Sequence, residues 1–195
     1  SRFRHVRFIQ NDNTIKKLFK LDRRICSEDS IRRFLSKIDS EAGRKWIDGA
    51  MEILFSALPG MFIMDWDSTV TTRYGDQEGV EVGYNPHKPG RGSHHPLICS
   101  VAGLRLCLTM DYRSGNAHSA EGMVSCLNEL IPRLPKDRKA FITRADIGFC
   151  SNEILKALEN KADMPYYVFK LKKTSRVREA ISKVSEKEWE RSEER

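Results

Sequence analysis

The sequence predicts an α/β protein, a mixed β-sheet flanked by helices and preceded by a small helical region over residues 1–60. Three observations lead there. Up to Pro59-Gly60 apolar residues recur only at helical spacing, and beyond it short apolar runs alternate with helical stripes. Two of those runs, Leu97 to Ala102 and Leu104 to Met110, meet at Gly103 as a hairpin would. A hairpin followed by alternating helices and strands gives a sheet with both antiparallel and parallel neighbours, packed against helices.

The helical region opens with a weak helix carrying Ile15, Leu18 and Phe19. Ile31, Phe34, Leu35 and Ile38 then fall at i, i+3, i+4 and i+7, the spacing of one buried helix face, with Asp29 or Ser30 as cap. A third stripe, Trp46, Ile47, Ala50, Met51, Leu54 and Leu58, is stopped by Pro59-Gly60. Lys16, Lys17, Lys20, Arg23, Arg24, Arg32, Arg33 and Lys37 crowd these helices. Such faces suit DNA, and equally a solvated helical surface.

From Phe62 the period changes. Phe62 to Asp67 reads as a strand ending on carboxylates, followed by a long polar segment over 71–96, rich in glycine and proline. A loop of that length in a compact domain is functional or disordered. After the hairpin, Ser119 is placed to cap a helix whose face is Ala120, Met123, Val124, Leu127, Leu130 and Ile131, with Pro135 closing it. Ala140 to Asp146 is a strand ending on a second carboxylate, with Gly148 allowing a sharp exit. Ser151 caps a helix carrying Ile154, Leu155 and Leu158. A strand over Tyr166 to Leu171 and a stripe of Val177, Ala180, Ile181 and Val184 complete the order.

Composition narrows the class. A charged fraction of 31% against 39% hydrophobic marks a heavily charged surface, and 34 Lys and Arg against 27 Asp and Glu leave a net +7. That sign favours a polyanionic partner, because neutralised phosphates release counterions. No apolar stretch is long enough for a transmembrane helix, and no signal peptide opens the chain. The five cysteines are scattered and form no CxxC pair, so they read as small buried residues in a reducing cytoplasm. The chain starts on Ser1 and ends on a charged helical tail, and reads as an excerpt of something longer.

Strand ends place the chemistry. In sheets of this kind active sites gather beyond the carboxyl ends of strands, and Asp67 and Asp146 both stand at such ends. Alternation sends Asp65 to the same face as Asp67, so Asp65 is a second candidate for the first position. Uncompensated carboxylates brought together are costly, and a divalent cation is the usual remedy. Oxygen-only ligands favour Mg²⁺ or Mn²⁺ over zinc. His87, His94, His95 and Cys99 lack the paired spacing of a zinc site. In the long segment Arg73, Lys88, Arg91, His94 and His95, together with Arg113 beyond it, are candidates for phosphate contact or for holding the loop. Arg113 and Arg144 lie near strand ends, where they would balance the carboxylates, hold DNA or, equally, form structural salt bridges.

Several blocks taken together resemble one family. Met64-Asp65-Trp66-Asp67-Ser68-Thr69-Val70, then Gly83-Tyr84-Asn85-Pro86 leading to Ser93-His94-His95-Pro96-Leu97, Arg113-Ser114-Gly115-Asn116, and Arg144-Ala145-Asp146-Ile147-Gly148-Phe149 are similar to bacterial insertion-sequence transposases of the DDE type. Ser27-Glu28-Asp29-Ser30 before Ile31-Arg32-Arg33-Phe34-Leu35 resembles the helical segment ahead of the core in that family. The resemblance implies an RNase H-like core over 61–195, lacking its C-terminal part, behind a helical, DNA-binding region over 1–60. It implies Mg²⁺ or Mn²⁺ as cofactor, transposon-end and target DNA as partners, a homo-oligomer in the active complex, and a bacterial, nucleoid-associated location.

The family uses three acids, and two carry over: Asp67 in Asp-Ser-Thr and Asp146 in Ala-Asp-Ile-Gly-Phe. The third is a Glu in a Tyr-x-x-Arg-x-x-x-Glu pattern. From Tyr166 to Arg195 nothing matches it; Glu153, Glu179, Glu186 and Glu188 lack the Tyr and Arg spacing. The expectation is a transposase core that is inactive by itself, the alternatives being a non-catalytic DNA-binding or assembly fragment, a remnant gene, or a nuclease or resolvase of the same fold.

Overall fold

The computed structural model describes residues 5–20, 25–104, 106–160 and 164–189. Arg23, Arg24 and Arg105, which the sequence placed in a basic face and in a strand, lie outside the described residues. The chain divides into two compact units, Ser1–Ile53 and Leu54–Arg195.

The first unit holds α1 (Val6–Gln10), α2 (Asn13–Leu18), α3 (Glu28–Leu35) and most of α4 (Ser40–Ser56). Asp12 caps α2 by accepting from the Thr14 and Ile15 amides at 2.8 and 3.1 Å. The cap of α3 is Ser27, which accepts from Ser30 N at 3.1 Å, and neither Asp29 nor Ser30. Asp29 instead faces Arg33 one turn on. The expected buried stripes are also corrected: α3 buries nothing, and Phe34, Leu35, Trp46 and Ile47 stand exposed. Periodicity defines an apolar face but does not say that anything covers it. Among the described residues burial begins at the end of α4, with Phe55 and then Leu58 just after it, inside the second unit.

The second unit is built on five strands: β1 (Met61–Ser68), β5 (Leu97–Val101), β6 (Leu106–Asp111), β7 (Lys139–Ala145) and β8 (Tyr166–Phe169). They lie in the order β6-β5-β1-β7-β8, with β5 antiparallel to β1 and β6, and with β1, β7 and β8 parallel. This is the α/β mixed sheet expected from the sequence. One face carries Phe62, Met64, Trp66, Leu97, Cys99, Val101, Leu108, Ala140 and Thr143, all buried. The buried residues Met123, Leu127 and Leu130 of α5 (Met123–Leu130), and Ile154 and Leu158 of α6 (Asn152–Glu159), complete this core. The other face, with Met61, Ile63 and Asp65 on β1, is half-buried or exposed. Of the cysteines expected in the core only Cys99 is buried; Cys26 and Cys107 are exposed.

Helix starts follow local chemistry. Ser151 caps α6 as expected, accepting from Ile154 N at 3.4 Å. Ser119 does not cap α5. The N-cap is Gly122 at φ 80°, with no side-chain hydrogen bond, because the chain enters through a left-handed turn that glycine accepts without strain. Helix α7 (Ser175–Ser182) is capped by Thr174, and its stripe, like that of α3, buries nothing.

The segment over 71–96 is folded. It contains β2 (Thr71–Thr72), β3 (Glu81–Val82) and β4 (Gly92–His94), an antiparallel sheet in the order β2-β4-β3. Sequence periodicity could not show this, because polar contacts hold it. Asn85, 5% exposed, donates to Thr72 Oγ1 at 3.0 Å and accepts from the His87 and Lys88 amides at 3.2 and 2.9 Å. Buried polar groups that find partners in this way fix a loop as firmly as apolar contacts do. Two glycines permit the closest approach. A Cβ on Gly83 would stand 1.9 Å from the Gly115 carbonyl oxygen, and one on Gly115 would stand 2.2 Å from that of Glu81. Gly115→Ala is therefore expected to cost about 3 kcal/mol through backbone displacement, measurable as a lower urea midpoint with an unchanged slope.

Candidate active site

Register, not proximity in sequence, delivers the two carboxylates to neighbouring strand ends. The β1–β7 ladder pairs Asp65 with Arg144 and ends at Trp66 with Ala145, and Asp67 and Asp146 are the next residues of the two chains. Neighbouring strands run about 4.8 Å apart. The β7–β8 ladder ends at Ala145 with Phe169, and Lys170 N donates to Ala145 O at 3.3 Å, which carries the row one strand further. Asp67, Asp146 and Lys170 thus cross the carboxyl ends of three parallel strands. Alternation turns them to the more open face.

One step down the strands lies the Asp65–Arg144 pair. Arg144 donates from Nε and Nη2 to the two carboxylate oxygens of Asp65 at 2.7 and 2.8 Å, a bidentate arrangement. Asp65 is therefore paired with its cross-strand neighbour Arg144. Asp67 is exposed, and its Oδ1 accepts from Ser68 N at 2.8 Å. Asp146 is also exposed. The Ile147 amide beside it and, after that, Lys170 hold its carboxyl below the usual range, with Lys170 Nζ 3.5 Å from Oδ1.

Among the described residues no group of three or more His, Cys, Asp or Glu side chains is placed to hold a metal ion. The pair nonetheless fits one chemistry. Mg²⁺ commonly takes one or two protein carboxylates and completes its shell with water and substrate phosphate. Two solvent-facing carboxylates on adjacent strand ends, without sulfur or imidazole, form that kind of donor set.

The six expected DNA-contact residues divide by their surroundings. His94, His95 and Arg113 are buried, at 4%, 5% and 9% exposure. His95 Nδ1 lies 2.8 Å from Ala117 O, and His94 Nε2 2.9 Å from Glu78 O. Arg113 donates from Nε to His95 O and from Nη1 to His118 O, both at 3.0 Å, and also reaches the carbonyls of Ser119 and Glu121. Burial lowers its pKa, while Asp111 and Glu121 oppose that shift. Arg73, half-buried, donates from Nε to His94 Nδ1 at 3.0 Å and bonds the Tyr112 hydroxyl. Only Lys88 and Arg91 are exposed, and both lie over the Tyr74 ring, at 4.9 and 5.9 Å from its centroid. Sequence reasoning missed Lys170. The strand read from the sequence runs to Leu171 and hides Lys170 inside it, whereas β8 ends at Phe169.

The strand order and the mixed pairing define an α/β domain with two exposed carboxylates, Asp67 and Asp146, past the last residues paired between the neighbouring parallel strands β1 and β7. The chain belongs to the Transposase DDE domain group 1 family, whose sequence model matches residues 8–195. No curated protein matches its sequence. Among solved structures it is similar to the piggyBac transposase in a synaptic complex with hairpin DNA, with 14% identity and a TM-score of 0.49 over 83% of this chain and 37% of that one. It is similar to the Drosophila P element transposase in a strand transfer complex, at 10% identity and a TM-score of 0.42 over 86% and 39%. It is also similar to the Mos1 mariner paired-end complex with Mn, at 13% identity and a TM-score of 0.34 over 92% and 69%. The chain thus spans less than two fifths of the length of the first two of these proteins. Its place in the family rests on the sequence match. Among the described residues no helix is long and apolar enough to cross a membrane.

Proposed function

We propose that this chain supplies two of the acids of a DNA transposase that cleaves DNA at transposon ends and joins it to target DNA. The observation that supports the reading is that the parallel β1–β7 ladder ends at Trp66 and Ala145, one residue before Asp67 and Asp146, in a member of a DDE transposase family. In the first step water attacks a phosphodiester at the transposon end and frees a 3′-hydroxyl. In the second that hydroxyl attacks a phosphodiester of the target, forming the new P–O bond as the target's own P–O bond breaks.

Asp67 and Asp146 would hold Mg²⁺ or Mn²⁺, which when bound supplies activation of the attacking oxygen and stabilisation of the leaving one. Lys88 and Arg91 would contact phosphates. Arg73, His94, His95 and Arg113 serve by keeping the β2-β4-β3 sheet in shape, since their polar atoms already have protein partners. The helical region over 1–60 would bind transposon-end DNA, and the active assembly would be a homo-oligomer working at the bacterial nucleoid.

Asp65 provides an internal control. Its carboxylate is engaged by Arg144, so Asp65→Asn should cost about 1 kcal/mol of stability and, in a protein that joins this chain to a third acid, leave strand cleavage within about tenfold of the parent. Asp67→Asn should abolish it. A gel assay on end-labelled transposon-end DNA with Mg²⁺ reads both, and equal loss in the two variants would contradict the choice of Asp67.

A second reading, a non-catalytic DNA-binding or assembly module, draws on the absence of a third acid beside the pair among the described residues. It predicts DNA binding with no metal requirement.

A further inference from the structure

We propose that Lys170, Lys172 and Lys173, at the exit of β8, bind the phosphate backbone of the DNA strand that lies across the Asp67–Asp146 sheet end. The inference rests on the reading of that end as a DNA-processing site and adds a binding surface to it.

The sheet itself positions this run. Because β8 is parallel to β7 and one strand further out, its exit emerges next to Asp146, and the 3.5 Å contact of Lys170 with Asp146 fixes the spot. Lys172 and Lys173 follow within about 10 Å along the chain. Both are exposed, and neither has an ion-pair partner among the described residues. The backbone that carries them is held rather than loose. Thr174 N donates to Lys172 O at 2.8 Å, and the Thr174 hydroxyl accepts from Val177 N at 3.3 Å to start α7.

Charge gives the run a task. From Lys170 to Arg178 the chain carries Lys170, Lys172, Lys173, Arg176 and Arg178 with no Asp or Glu between them. Two exposed carboxylates at the sheet end repel a polyanion, and basic side chains nearby ease its approach beyond what a cation held by the carboxylates themselves would do. The Asp65–Arg144 pair cannot supply the offset, since its opposite charges already face each other. The β8 exit is the cationic element that the ladder places beside Asp146. DNA presents phosphates about every 3.4 Å along each strand, so a basic run of this length can meet more than one.

The test uses Lys172→Gln/Lys173→Gln, which leaves Lys170 and Asp146 untouched. The control is Lys136→Gln/Lys139→Gln, the same charge change at the opposite end of β7. Affinity for a fluorescein-labelled DNA duplex is followed by anisotropy between about 50 and 200 mM salt. The β8-exit variant is expected to lower the slope of log affinity against log salt by about two units, the value for two lost phosphate contacts, while the control keeps the parent slope. A parent slope in the β8-exit variant overturns the proposal, as does an equal fall in both. Failure of the parent reading looks different: cleavage that survives Asp146→Asn, whatever the slopes do.

Discussion

In a protein that joins this chain to a third acid, replacing either Asp67 or Asp146 by Asn is expected to lower strand cleavage at least about a thousandfold, equivalent to about 4 kcal/mol of transition-state stabilisation, and to leave DNA affinity within about twofold. Asn keeps the shape of the side chain and one carbonyl oxygen but removes the charge that holds a divalent cation. Both positions are solvent-facing strand ends, so the loss is not expected to come through unfolding. Single-turnover cleavage of end-labelled DNA, with anisotropy on the same duplex, separates chemistry from binding. Cleavage at parent rates by either variant would remove that residue from the site.

The second large effect is on stability. Arg113→Met is expected to destabilise the second unit by about 3 kcal/mol and to lower its melting temperature by about 10 °C. The guanidinium is buried and donates to the carbonyls of His95, His118, Ser119 and Glu121, which come from both sides of the β2-β4-β3 sheet's attachment to β5 and β6. Methionine fills a similar volume but leaves those carbonyls without a partner, and an unsatisfied buried acceptor costs about 1–3 kcal/mol. The polar segment should become protease-sensitive first, because Arg113 also backs His95. Melting by circular dichroism, with limited proteolysis cut sites read by mass spectrometry, checks both statements. A variant as stable as the parent would show that these contacts contribute little.

Much of the second unit is legible in the sequence because its elements announce themselves locally. Phe62, Met64 and Trp66 alternate with Asp65 and Asp67, and Leu97, Cys99 and Val101 do the same, so both strands and their buried faces follow from period two. Gly103 marks the hairpin, and Ser151 the start of α6. The 71–96 segment was hidden because its order comes from Asn85, His94, His95 and Arg113. Their partners, among them Thr72, Glu78 and Ala117, are distant in sequence and follow no period. The apolar stripes of α3 and α7 misled in the opposite sense, since amphipathic spacing is present without burial.

The site was half legible. Asp67 and Asp146 could be chosen as strand-terminal acids, but their adjacency depends on β7 lying next to β1, a sheet order that spacing alone does not reveal. The same order separates Asp65 from Asp67. Alternation puts them on one face, whereas the cross-strand register gives Asp65 to Arg144 and leaves Asp67 at the end of the strand. It also brings Lys170 beside Asp146, a contact with no trace in local pattern.

The central claim is that Asp67 and Asp146 jointly hold a divalent cation, and Mn²⁺ titration followed by electron paramagnetic resonance, in the presence of duplex DNA, tests it most directly. The account predicts that the parent and Asp65→Asn remove Mn²⁺ from the free signal alike, while Asp67→Asn and Asp146→Asn each weaken binding at least about tenfold. Unchanged Mn²⁺ binding in the Asp67→Asn/Asp146→Asn double variant would contradict it.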